Sequence, residues 1–90
     1  MHNEQHLPAD ALPPMPPTAA PGLYRHYKGN LYVVIDTVRH SETLEAITLY
    51  RALYGERGLW VRPAAMFLET VEIAGVLMPR FSRLADAEKP

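Results

Sequence analysis

The segment Arg39-His40-Ser41-Glu42-Thr43-Leu44-Glu45 places one imidazole, two hydroxyls and two carboxylates within seven residues. Three chemistries are open to such a set. As a metal site, His40, Glu42 and Glu45 joined by His26 would offer nitrogen and oxygen ligands suited to zinc or manganese. That spacing is not diagnostic, because neither an HExxH helix nor a cysteine pair accompanies it. As a catalytic pair, Ser41 beside His40 would supply nucleophile and base, yet neighbours in an extended loop point apart and no strand-to-helix elbow surrounds the serine. The third reading is a solvated turn in which Ser41 and Thr43 cap backbone groups while the carboxylates pair with Arg39 or Arg51. The turn is the favoured reading, and no residue is assigned a catalytic role, a resident metal or a cofactor.

A second pattern alternates rings with cations: Tyr24-Arg25-His26-Tyr27-Lys28, Tyr50-Arg51 and Trp60-Val61-Arg62. On neighbouring strands these residues would form a surface where rings stack a base or cage a cation while arginines hold an anion. The competing account makes the rings core, since a small domain with only two Phe needs Tyr and Trp to fill it. Trp60 discriminates between them, because a ring in a solvent-facing groove with Tyr24 or Tyr50 favours binding. Gly55-Glu56-Arg57-Gly58 matches the GxxG string of the KH nucleic-acid clamp. It sits between two β-like runs rather than between helices, so it reads as a hairpin turn. Met66 and Phe67 read as core.

The elements that must hold these residues follow from a sharp division of composition. Six of the nine prolines precede Gly22, whereas all the aromatics lie between Tyr24 and Phe81. Residues 1–22 therefore read as an extended proline-rich arm, residues 23–81 as one β domain and residues 82–90 as a frayed or weakly helical tail. Pro13 with Pro16, and Pro14 with Pro17, have the PxxP spacing that aromatic grooves take, although no flanking Arg or Lys orients it. Within the domain, Tyr24 to Lys28 ends at the turn formers Gly29-Asn30 and leads into Leu31 to Val38. That second run is apolar on both parities, with Leu31, Val33 and Ile35 against Tyr32, Val34 and Val38, as in a strand buried on both sides. Ala46 to Tyr54 is the third strand and Leu59 to Arg62 the fourth, stopped by Pro63, which opens a helical turn to Phe67. Glu69 to Ile73 is the last. The prediction is a mainly β fold, a small SH3-like barrel or roll of about five antiparallel strands with one short helical turn, or an open roll completed by dimerisation.

Seven basic residues face six acidic ones between Leu23 and Phe81. A near-neutral domain supplies little of the phosphate neutralisation on which nucleic-acid affinity depends, so nucleic acid is a disfavoured partner. Absence of cysteine removes disulfides and thiolate chemistry. The start of the chain lacks the charged and apolar regions of a secretory signal, and no apolar run reaches the roughly 18 residues of a membrane span. The expectation is a cytoplasmic protein without a membrane partner.

The strings Tyr24-Arg25-His26-Tyr27-Lys28-Gly29, His40-Ser41-Glu42-Thr43 with Glu45, Val61-Arg62-Pro63 followed by Met66-Phe67, and Pro79-Arg80-Phe81 resemble the small bacterial family catalogued as domain of unknown function 1653. The resemblance covers Leu23 to Phe81. It implies a compact SH3-like barrel or roll and no established reaction, with recurring residues at the positions of His26, Lys28, His40, Ser41, Glu42, Glu45, Arg62 and Phe67. Fold alone gives only an analogy to binding modules. The functional expectation is a non-enzymatic binding or adaptor module for a protein or small molecule. Its face would combine the His40 loop (His40, Ser41, Glu42 and Glu45) with Tyr24, His26, Lys28, Tyr50, Arg51, Trp60 and Arg62. The alternatives are a small metal-dependent or hydrolytic enzyme centred on His26, His40, Glu42 and Glu45, and a weak nucleic-acid binder.

Overall fold

Gly29, with a backbone φ of 111°, turns the chain between β1 (Gly22–His26) and β2 (Leu31–Arg39). A side chain at that φ is strained, which is why a glycine stands there. The computed structural model describes residues 12–86; Pro8 of the arm and residues 87–90 of the tail lie outside it. After the His40 loop comes β3 (Ala46–Ala52), then the Gly55 to Gly58 turn, β4 (Leu59–Pro63) and the one-turn helix α1 (Ala64–Phe67). Three more strands follow: β5 (Thr70–Ile73), β6 (Val76–Pro79) and β7 (Phe81–Asp86). The protein is mainly β and wholly antiparallel, as expected, with seven strands among the described residues in place of about five. No helix among them is long and apolar enough to cross a membrane.

The larger sheet has the order β4-β3-β2-β1-β7, and its outer strands do not meet, so it is open rather than closed into a barrel. The β5–β6 hairpin forms a separate two-stranded sheet. Ala74 and Gly75 have φ values of 52° and 82°, the pair of positive values that a tight two-residue hairpin turn requires. That turn pairs β5 with β6, leaving neither to bridge β4 and β7. Of the segment after Phe81, expected to fray, the described residues 82–86 instead belong to β7 and pair with β1. Its alternation is hidden by a bulge opposite Leu23 and Tyr24.

The core lies on one face of the open sheet. Tyr24, Val34, Thr48, Tyr50 and Ala52 point there, and α1 lays Phe67 over them. Phe67 and Phe81 stack with centroids 4.0 Å apart and planes 3° apart, while Tyr24 and Tyr50 meet Phe67 edge-on at 5.5 and 5.3 Å. Full burial of an aromatic such as Phe67 contributes about 2–3 kcal/mol. Met66, read as core, is 43% exposed, because a single helical turn turns only one of the two neighbours inward.

The stretch from Leu12 to Pro21 is tied to the same face by its carbonyls. Arg39 donates to Pro13 at 2.6 Å, Arg83 to Pro21 at 2.8 Å and the Tyr24 hydroxyl to Ala20 at 2.7 Å, while Ala19 is buried in the core. Prolines leave the backbone little but acceptors, so arginine and tyrosine donors are what can hold it. Burial raises the Tyr24 pKa, opposed by the charge and hydrogen bond of Arg83.

Two substitutions test this packing. Gly22, at φ 149°, lies so close to the carbonyl oxygen of Ala85 that an added methyl would collide with it. Gly22→Ala should lower the stability measured by urea unfolding by roughly 1–3 kcal/mol. The Thr48 hydroxyl is fully buried and has no hydrogen-bond partner. Thr48→Val should leave the urea midpoint unchanged or raise stability by up to about 1 kcal/mol, and a clear loss would show that the hydroxyl has a partner.

Candidate functional site

Antiparallel register lines up the aromatic residues on the core face of the sheet. Trp60 pairs with Tyr50, and Tyr50 with Val34; one step along, Tyr32 pairs with Ala52 and Tyr24. The rings form a continuous series, with Tyr32 edge-on to Tyr50 at 5.5 Å, to Tyr54 at 5.6 Å and to Phe81 at 5.5 Å. The buried end of this series is core. Its open end, where β4 is the last strand, is a groove of about 190 Å³ lined by Tyr32, Tyr50, Tyr54, Trp60 and Arg62. A second depression of about 270 Å³, walled by Ala52, Tyr54, Trp60 and the Gly55 to Gly58 turn, lies beyond it. Tyr54 and Trp60 line both. Trp60 is 57% exposed and so stands in a solvent-facing groove with Tyr50.

Hydrogen bonds hold the walls. The Tyr32 and Tyr54 hydroxyls are 2.8 Å apart, and Arg62 Nε lies 3.5 Å from the Tyr50 hydroxyl, a long contact. Burial, followed by the hydrogen bond to Tyr54, pushes the Tyr32 phenol up to about 12, so its proton stays in place at neutral pH. Arg51 on the opposite face donates to the Arg57 carbonyl at 2.6 Å and pins the β3–β4 turn that closes the second depression. Arg57 takes a positive φ of 57° in that turn, which supports the hairpin reading of the GxxG string.

His26 stands behind the groove, its ring 4.9 Å from Phe81 and 6.4 Å from Tyr32. Nδ1 accepts the Lys28 backbone N–H at 3.1 Å, so the favoured form is neutral with the proton on Nε2. Its pKa is lowered by burial, then by the charges of Arg80, Lys28 and Arg62. Lys28 itself sits 5.8 Å above the Tyr27 ring at the edge of the same cluster.

The His40 loop is elsewhere. His26 precedes the start of β2 and His40 follows its end, and the nine residues of β2 span about 30 Å. The structure therefore brings Tyr50, Trp60 and Arg62 together in the groove with His26 behind them, and leaves His40, Ser41, Glu42 and Glu45 at the far end of the sheet. There, His40 Nδ1 accepts the backbone N–H groups of Glu42 and Thr43 at 3.1 and 3.2 Å, and the Thr43 hydroxyl accepts that of Glu45. Side chains cap the backbone of this turn, with the imidazole in the place expected of Ser41. Arg39 donates to the Leu44 and Pro13 carbonyls rather than pairing with a carboxylate. Among the described residues no three His, Cys, Asp or Glu side chains converge on a point where a metal ion could sit.

Tyr24 is buried core, and Arg51 supports the turn from behind. Two groove residues, Tyr32 and Tyr54, have no cation beside them in the sequence and were not among the expected site residues. The parity they share with Val34 and Tyr50 is the signal that would have found them.

The family model described as "Protein of unknown function (DUF1653)" matches residues 22–83. The fold is similar to the crystal structure of a DUF1653 protein from Bordetella bronchiseptica, with a TM-score of 0.70 and 34% identity over 76% of this chain and 90% of that one. No curated protein matches the chain. The chain belongs to the DUF1653 family.

The lowered His26 pKa has a consequence for stability. The unfolded chain takes up a proton near the ordinary value of 6.5 while the folded one resists it, so His26 lowers stability progressively as pH falls below about 6.5. An NMR titration should place the His26 midpoint below 6.5, and His26→Gln should lose less stability than wild type between pH 7 and 5. A midpoint at or above 6.5 would contradict the assigned environment.

Proposed function

We propose that this DUF1653 chain is a binding module of the adaptor kind, taking an extended, proline-bearing peptide with an acidic flank along the groove of Tyr32, Tyr50, Tyr54, Trp60 and Arg62. The observation that carries this reading is the pair of open depressions that share Tyr54 and Trp60. Each is smaller than the roughly 300–1,000 Å³ of an enclosed small-molecule pocket, and their succession suits a chain that drops one residue into each. A polyproline II helix keeps a fixed shape before binding, so it loses little entropy on docking to rings. Its backbone is rich in carbonyl acceptors, to which the indole N–H and phenol O–H groups can donate.

Charge selects the flank. Arg62 lines the first depression and Arg57 the second, with Lys28 and Arg80 near His26 behind them. These cations disfavour a caged ammonium group and favour carboxylates beside the prolines. At His40 the Nδ1 lone pair is taken up by two backbone N–H groups of its own turn, which tells against its use as a base there.

The chain contains one tryptophan, so its fluorescence reports on the groove alone. A synthetic peptide with two prolines at PxxP spacing and two following glutamates should shift Trp60 emission saturably, with a dissociation constant on the order of 10–500 μM. By NMR titration, Trp60→Ala should weaken binding by about 30-fold, the effect of losing a central aromatic anchor. A His40→Ala, Glu42→Ala double variant should bind as wild type. A response to a mononucleotide but not to the peptide, or full binding by Trp60→Ala, would overturn the reading.

A further inference from the structure

The face of the five-stranded sheet turned away from the groove is apolar where an antiparallel sheet facing water is normally polar. Register puts Leu23 beside Val33, and Asp36, Leu49 and Val61 in one row, with Val38, Ile47 and Pro63 in the next. Leu31 and Leu59 join them on the same parity. Ile35 is the extra residue of a bulge opposite Leu49. Among the described residues no helix or strand outside this sheet makes an extensive contact from this side. The arm and α1 lie on the other one, and the β5–β6 hairpin makes no extensive contact with the sheet. Ile35 is 41% exposed, Leu59 52% and Val61 60%.

We infer that a second copy of this chain covers this face, the two sheets packing against each other about a two-fold axis. Four exposed aliphatics, Ile35, Val38, Leu59 and Val61, gather on this one face, and the largest apolar patch of a small protein is often a functional surface. The charges also fit a self-complementary surface. Arg25, Asp36 and Arg51 are the charged side chains of this face, and a two-fold axis lets each Asp36 carboxylate meet an arginine of the other copy. Sheets packed in this way lie about 10 Å apart at an angle near 30°, a spacing that aliphatic side chains of this size fill.

The inference also accounts for the sequence of β2. Its residues are apolar on both parities, yet Val34 on the core side is the only residue of the strand that the single chain buries. A second copy supplies the missing cover. The grooves of both copies then face outward and remain open, so the inference stands whether or not the groove takes a peptide.

Sedimentation equilibrium of the full chain at about 100 μM should give twice the chain mass of 10.1 kDa. An Ile35→Glu, Val61→Glu double variant should weaken the dimer at least 100-fold while keeping the circular dichroism of the fold, and Trp60→Ala should leave it intact. A wild-type monomer at that concentration, or a dimer that survives the double variant, would overturn the inference. If the double variant does not fold, Val61→Cys decides the matter, because the chain has no other cysteine. Its thiol should react with a water-soluble thiol reagent at least tenfold more slowly in concentrated than in dilute protein, and equal rates would overturn the inference.

Discussion

The stack of Phe67 on Phe81 joins the parts of this fold that the chain makes separately. Phe67 closes a helical turn too short to persist in water alone, and Phe81 opens the strand that completes the sheet on the side of β1. With planes 3° apart and the pair buried, each ring holds the other's element in place. Tyr24 and Tyr50 then fit edge-on around the pair, and the order of the remaining rings follows from their register on the sheet.

A site made this way is an extension of the core rather than a set of loops placed over it. Tyr50 is 5% exposed yet lines the groove, so the groove floor is as fixed as the interior. Tyr32 links the two, touching Phe81 on one side and Tyr54 on the other. Side chains already held by packing lose little freedom when something binds, which favours a surface of aromatic rings over one of long polar chains. The same continuity explains the chemistry of His26. Its own burial, and after that the charges of Arg80, Lys28 and Arg62, lower its pKa.

Much of this was legible in local residue types. Gly29-Asn30 and the Gly55 to Gly58 string marked two hairpins, Pro63 marked the end of β4, and the strand bounds came close to those observed. The failures have physical causes. The bulge at Ile35 adds one residue to β2, so Val38 falls on the face of Leu31 and Val33 rather than that of Val34. β7 carries Ser82, Arg83 and Ala85, none of them a strong strand former, and becomes a strand because the free edge of β1 offers it partners. The five-stranded sheet stays open because a two-residue turn folds β5 onto β6, a competition between pairings that periodicity does not express.

The candidate site divides along the same line. By itself the sequence determined that this is a small, cysteine-free, nearly neutral chain of mainly β structure, that its rings and cations alternate on strands, and that the strings of the DUF1653 family run through it. Those are properties of residue type and near-neighbour spacing, which the chain carries before it folds. Only the tertiary structure decided that His26 and the His40 loop sit at opposite ends of β2, that the histidine of that loop caps its own turn, and that Tyr32, Tyr54 and Trp60 share a groove with Arg62. Each of these depends on which strands pair and in what register, and a shift of one residue would have sent every one of those rings to the other face.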